Sequence, residues 1–133
     1  EEVAQSGGKC YAASVKVKNE KHIAAVESDE GGFTPVGFTM DSSIDTVGIV
    51  SKWKCLLEPY GLWQYHKGYS GVDISYLKGL GFPLFGLMTD SQRYFDFQHA
   101  KTDTFDKVNK REMQLGSAAL AALVYLIDRY WIK

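Results

Sequence analysis

The chain has 133 residues, of which 45% are hydrophobic, 14% aromatic and 23% charged, with a formal net charge of -1. This composition is typical of a globular domain with one core, and it excludes collagen-like and disordered proteins. Lys and Arg do not outnumber Asp and Glu, so we expect no nucleic-acid partner. The longest apolar run, residues 118–127, is too short for a membrane span, which needs about 20 residues.

The first third of the chain predicts a helix, a strand and an acidic turn. Residues 3–18 favour a helix after an irregular first turn, and His22–Val26 is an apolar run of buried-strand length. Acidic groups in Glu27–Asp29 follow where this strand would end, and Gly31-Gly32 breaks the chain. The chain begins Glu1-Glu2 rather than with Met, as expected of a processed precursor or of a piece of something longer.

A second helix is predicted in the middle of the chain. Ser42 or Ser43 can cap it, apolar residues at steps of three and four continue it to Leu57, and Pro59 ends it. The stretch that follows is rich in Gly and aromatic residues, with a short helix expected around residues 74–80.

The last third predicts a strand, a loop and a long helix. Residues 82–88 are apolar throughout, which is typical of a strand that is covered on both faces. A polar loop is expected over residues 89–109 and a helix over residues 110–130. The apolar face expected for this helix comprises Leu115, Leu120, Leu123, Val124 and Ile127.

Helix, strand, helix, strand and helix in this order predict one α/β domain over residues 1–133, with a mostly parallel sheet flanked by helices. Sites in such sheets gather beyond the carboxyl ends of the strands, where Asp29 and the loop over residues 89–106 would lie. Cys10 and Cys55 could form one disulfide bridge or none, and we expect two buried thiols.

Several kinds of catalytic site are excluded by motif. The sequence has no Gly-x-Ser-x-Gly or Gly-x-Cys-x-Gly elbow, no phosphate loop, no dinucleotide fingerprint and no His-Glu-x-x-His. Acidic residues and three histidines remain, namely His22, His66 and His99. Each alone is typical of a solvated surface group or a turn residue.

Taken together, several segments resemble one known family. The segments are Glu1-Glu2, residues 6–9, residues 27–33, residues 94–108 and the Ala-rich last helix. With them the chain resembles the C-terminal part of the co-catalytic di-zinc aminopeptidases and carboxypeptidases, most closely the plasma glutamate carboxypeptidase branch. The resemblance covers nearly all of this chain and about half of that family's catalytic domain. It implies a zinc-exopeptidase fold of the phosphorylase/hydrolase type.

The resemblance also implies roles for individual residues. Glu1 would be the general base that takes a proton from the attacking water. Glu2 and His99 would be ligands of one zinc ion, and Asp29 would be a ligand of the other. Carboxylate oxygens and imidazole nitrogens suit zinc, and two such ions would polarise the scissile carbonyl and activate water.

The sequence also departs from the family's pattern. The upstream His-x-Asp and the bridging Asp are absent from this chain, and Gln98 stands where relatives often carry a first of two histidines. His99 keeps the four-residue step to Asp103, and the resemblance implies that Asp103 and Thr104 shape the loop. Residues 68–73 lie where relatives have a Gly-rich substrate loop.

The resemblance therefore implies a zinc-dependent exopeptidase of the aminopeptidase or dipeptidase type, acting on short peptides in a secreted or periplasmic setting. This chain would supply only part of the site, and alone it would be inactive. Two alternatives remain: a non-catalytic fragment or interaction module that keeps the fold without the full metal site, and a structural α/β domain whose resemblance is limited to the fold.

We expect the chain to be stable only beside the missing N-terminal half of the domain or another protomer. The strand that should lead into Glu1 is not part of the chain, so its neighbours in the sheet would lack hydrogen-bond partners. Sedimentation and thermal melts test this expectation. A monodisperse monomer that unfolds cooperatively would contradict it.

Overall fold

A computed structural model describes residues 4–30 and 32–131. Its helices are α1 (Ser6–Lys18), α2 (Thr46–Ser51), α3 (Lys54–Leu57), α4 (Tyr94–Phe97) and α5 (Lys110–Tyr130), with 3₁₀ helices at Glu58–Tyr60, Ile74–Leu77 and Phe105–Lys107. Its strands are β1 (Ala25–Glu27), β2 (Pro35–Asp41), β3 (Gln64–Lys67) and β4 (Leu84–Thr89).

The described strands form one mixed sheet in the order β1-β4-β2-β3. β1 pairs parallel with β4, β2 pairs parallel with β3, and the central pair of β4 with β2 is antiparallel. The predicted α/β class is confirmed. The predicted number of strands was wrong, because β2 and β3 were not recognised. Pro35 and Gly37 interrupt the alternation of apolar and polar residues expected of a strand. The pairing of β2 with β4 also shifts in register between these two residues.

The sheet carries a core on each face. Because successive side chains of a strand point to opposite faces, Phe85 of β4 packs towards α5, while Leu84 packs towards α1. The larger cluster joins the sheet to the middle and last helices through Phe38, Met40, Val50, Trp53, Leu57, Phe85, Leu87 and Leu123. The smaller cluster comprises Ala12, Val15, Leu77 and Leu84. The prediction that the second apolar strand is covered on both faces is confirmed.

The long helix α5 has the predicted bounds, and its buried face includes Leu123 and Ile127 as predicted but differs at other positions. Its buried residues are Gly116, Ala119, Leu123, Leu126 and Ile127. Val124, predicted to be buried, is 55% exposed, and the small Gly116 and Ala119 allow the helix to approach the sheet closely. The face of α5 that packs on the sheet therefore differs from the predicted one, because it includes the small residues Gly116 and Ala119, which the prediction from large apolar residues left out.

Other local expectations were corrected. The predicted second helix is broken into α2, α3 and a 3₁₀ turn, and its cap is Asp45, whose side chain accepts a hydrogen bond from the Gly48 amide. Neither predicted serine caps it. Both cysteines, Cys10 and Cys55, are exposed and unbridged, so the expectation of buried thiols was wrong. None of the described helices has the length and apolar character needed to cross a membrane.

We predict that Leu123→Ala lowers the free energy of unfolding by about 2–5 kcal/mol, the usual cost of truncating a fully buried leucine. The control is Val124→Ala at the neighbouring exposed position, with an expected change of about 0.5 kcal/mol or less. Urea denaturation of both variants measures this. Similar losses in the two variants would contradict the observed orientation of α5.

Candidate active-site cleft

The carboxyl ends of β1 and β4 lie at the same edge of the sheet because the two strands are parallel. The acidic turn after β1 is fastened to the end of β4 by Glu30. Its Oε2 atom accepts hydrogen bonds from the amide and the hydroxyl of Thr89, at 3.0 and 3.1 Å. The expectation that the acidic turn and the loop after β4 meet at this edge is confirmed.

A cleft of about 350 Å³ opens at this edge. Two of the predicted zinc ligands, Asp29 and His99, both line it. Carboxylate, imidazole and ammonium groups therefore share the cleft with aromatic rings. The lining residues are Asp29, Glu30, Gly32, Phe33, Tyr94, Phe97, Gln98, His99, Asp103, Lys107 and Val108.

His99 has a backbone conformation that is uncommon among residues other than Gly. Its φ angle is 56°, in the left-handed region that costs energy for residues other than Gly. It lies in a tight turn after α4, in which the amide of Ala100 donates to the carbonyl of Phe97 and that of Asp103 to Ala100. Such strain persists only where the surroundings hold it, and it occurs often at functional sites.

The remaining predicted site residues, Glu1 and Glu2, lie outside the described residues. Over residues 4–30 and 32–131, no group of three His, Cys, Asp or Glu side chains could hold a metal ion. Catalytic zinc sites use three protein ligands. Asp29 and His99 have donor atoms that suit zinc, but the described residues do not complete a zinc site, and their role as ligands stays a prediction.

Sequence reasoning missed the aromatic side of the cleft. Phe33 lies 6.4 Å from Phe97 in a near-parallel arrangement and 6.3 Å from Tyr94 in an edge-to-face arrangement, between ring centroids. We call these three residues the aromatic wall. The available signal was the i, i+3 spacing of Tyr94 and Phe97, which places two rings on one side of a short helix.

A second connection holds the Gly-rich segment of residues 68–73, which we call the strap. Glu27, two residues before Asp29, accepts hydrogen bonds from the amides of Val72 and Ile74, both at 2.9 Å. A Cβ atom on Gly71 would lie 2.3 Å from the Glu27 carboxyl carbon, so this close approach requires glycine. The strap therefore ends beside the strand that leads to Asp29.

The other two histidines lie away from the cleft. His22 pairs through Nε2 with the Tyr11 hydroxyl at 2.8 Å and stacks on Phe82 at 5.2 Å between ring centroids. His66 is exposed on β3, 3.3 Å from the side-chain oxygen of Gln64. His99 is thus the histidine, among the described residues, that lines the cleft.

We predict that Glu30→Ala lowers the free energy of unfolding by about 1.5–3 kcal/mol, because it leaves two buried donors of Thr89 without their charged acceptor. Amide hydrogen exchange at Thr89 should become faster. The control is Glu20→Ala, which removes only a 3.9 Å surface ion pair with Lys18 and should cost less than about 1 kcal/mol. Equal effects of the two substitutions would argue against the fastening role of Glu30.

Comparison with known proteins supports the resemblance. No family model matches the chain. Carboxypeptidase Q from Bos taurus is 28% identical over 127 residues, which is 96% of this chain and 27% of that protein. Carboxypeptidase Q from Homo sapiens is 29% identical over 112 residues, or 84% of this chain and 24% of that protein. The chain thus spans about a quarter of the length of the curated relatives that it matches.

Comparison with solved structures also finds a similar peptidase. The crystal structure of a Peptidase M28 precursor from Shewanella amazonensis SB2B matches 97% of this chain and 29% of its own, with a TM-score of 0.83 and 28% sequence identity. This match confirms the α/β fold of a sheet flanked by helices. In sequence the chain is similar to carboxypeptidase Q, and in fold it is similar to an M28 peptidase.

Proposed function

We propose that this chain is part of a zinc-dependent exopeptidase that hydrolyses terminal peptide bonds of short peptides, in the manner of an aminopeptidase or dipeptidase. The observation that carries the proposal is that Asp29 and His99, distant in sequence, line one cleft at the carboxyl ends of two parallel strands. The similarity to carboxypeptidase Q and to an M28 peptidase supports the same class of reaction.

The two predicted ligands in the cleft and the aromatic wall each have a definable part in this proposal. Asp29 would offer a carboxylate to one zinc ion and His99 an imidazole to the other, as their oxygen and nitrogen donors allow. Two bound zinc ions would supply Lewis acidity for the scissile carbonyl and a water nucleophile near neutral pH. The aromatic wall would keep water away from one side of the substrate and would contact an apolar side chain.

The remaining groups of the proposed site lie beyond the described residues. Glu1 is proposed as the general base and Glu2 as the second ligand of the zinc ion that His99 holds. The donors that this chain lacks would come from the missing N-terminal half of the domain or from another protomer, so the chain alone would be inactive. A secreted or periplasmic location is part of the same proposal.

A second candidate function is a non-catalytic interaction module that retains the fold. It is favoured by the donor count, because the described residues contain no group of three metal-ligating side chains. The two candidates differ in the metal affinity of the full-length protein. Tight binding of two zinc ions together with peptide hydrolysis would exclude the interaction module.

We predict that His99→Ala in the full-length protein removes zinc and lowers dipeptide turnover by about 100-fold or more, since even the partners of metal ligands are worth roughly 10- to 100-fold. Metal analysis by mass spectrometry and a dipeptide hydrolysis assay measure the two effects. His66→Ala is the matched control, because His66 is exposed on β3 and does not line the cleft. Unchanged zinc content and turnover in His99→Ala would overturn the proposed function.

A further inference from the structure

Glu112 lies in the first turn of α5, but it does not make the capping hydrogen bond that is common for a glutamate there. It is the third residue of α5, after the cap Asn109, whose side chain accepts from the amides of Arg111 and Glu112. A glutamate at this position commonly reaches back to the cap residue's own amide. Here Glu112 Oε1 instead accepts from the Thr34 hydroxyl at 2.8 Å and from the Arg93 guanidinium at 2.6 Å.

These two partners flank one aromatic ring of the cleft. Thr34 is the chain neighbour of Phe33, and its carbonyl accepts a hydrogen bond from the Asp90 amide at 2.8 Å. The guanidinium carbon of Arg93 lies 5.3 Å from the centroid of the Phe33 ring, which is a cation–π distance. Glu112 therefore fixes the backbone beside Phe33 and the cation that lies over its ring.

Phe33 in turn belongs to the aromatic wall. Its ring contacts those of Phe97 and Tyr94, and all three residues line the cleft that contains Asp29 and His99. Phe97 lies two residues before His99. The connections from Glu112 thus end at rings that line the same cleft as the predicted zinc ligands.

The environment of Glu112 favours the charged form of its carboxyl group. Only 16% of its side chain is exposed, against 51% for Arg93, and its Oε2 atom is buried with no hydrogen-bond partner among residues 4–30 and 32–131. Burial acts to raise the pKa of Glu112, but the hydrogen bonds from Arg93 and Thr34 outweigh it and hold the pKa below its ordinary value. A buried carboxylate oxygen without a partner costs stability, and the charged hydrogen bonds to Oε1 offset this cost.

We propose that Glu112 is a positioning residue of the cleft: through Arg93 and Thr34 it holds Phe33 in the aromatic wall and so sets the affinity for substrates with an apolar side chain. This inference rests on the proposed peptidase function. It assigns no chemical step to Glu112, which touches neither the cleft nor the predicted ligands.

The test compares E112Q with the control E58Q in the full-length protein. E112Q keeps the shape of the side chain and an acceptor for Thr34 but removes the charge that holds Arg93. E58Q removes a surface ion pair with Lys54, 3.7 Å between charged atoms, and Glu58 does not line the cleft. KM and kcat are measured for glycyl-leucine and for glycyl-glycine, and NMR measures the contact between the Arg93 side chain and the Phe33 ring.

In E112Q we expect loss of the Arg93–Phe33 contact and a roughly two- to fivefold rise in KM for glycyl-leucine, the size of one exposed cation–π contact. The kcat value and the KM for glycyl-glycine should stay unchanged, and E58Q should match the native protein. A merely structural role would instead change both dipeptides alike, and that result would overturn the inference. An intact Arg93–Phe33 contact in E112Q would overturn it too.

The NMR measurement separates this inference from the proposed function. If the native protein hydrolyses neither dipeptide, the proposed function fails on that ground. The positioning role of Glu112 is then decided by the Arg93–Phe33 contact alone, which persists in E112Q if the role is absent and is lost if it is present.

Discussion

The parallel pairing of β1 with β4 determines where every candidate functional group of the described chain lies. It brings the turn after Glu27 and the loop after Thr89 to one edge of the sheet, although the residues that meet there are far apart in sequence. Glu30 then ties the two strand ends together directly. With a different pairing, Asp29 and His99 would not share a cleft, whatever the motifs around them.

Carboxylates do most of the positioning around this edge, each in a different way. Glu27 binds the amide of Val72 in the strap and that of Ile74 just after it, Glu30 binds the end of β4, and Glu112 binds a hydroxyl and a guanidinium. In each case the charged acceptor takes donors from a distant segment, and charge-assisted hydrogen bonds are the stronger kind. Asp29 lies between Glu27 and Glu30 in sequence, so these two carboxylates hold the chain on either side of it.

The sequence was informative where local pattern decides structure. The bounds of α5 follow from its apolar period, and β4 follows from an unbroken apolar run. β2 was missed because Pro35 and Gly37 interrupt its pattern, and it is held by pairing with β4 rather than by propensity. Asp29 and His99 were selected as candidate ligands through motif resemblance, since spacing alone does not distinguish them from surface residues.

The contacts that shape the cleft could not be predicted in the same way. Thr34 and Glu112 are 78 residues apart, and nothing in either local segment indicates that they meet. The same holds for Glu27 and the strap, 45 residues away. These contacts depend on the register of the sheet and on the position of α5 across it, which no short window of sequence contains.

The order and direction of the strands in the sheet also affect the rate of folding. None of the pairs between its described strands is a hairpin, because two strands intervene between β1 and β4, β3 intervenes between β2 and β4, and the consecutive strands β2 and β3 run parallel. Folding must therefore close long loops before strand contacts can stabilise them, and such topologies fold slowly. The cleft joins the turn after β1 to the loop after β4, so it is complete only once these two strands have paired.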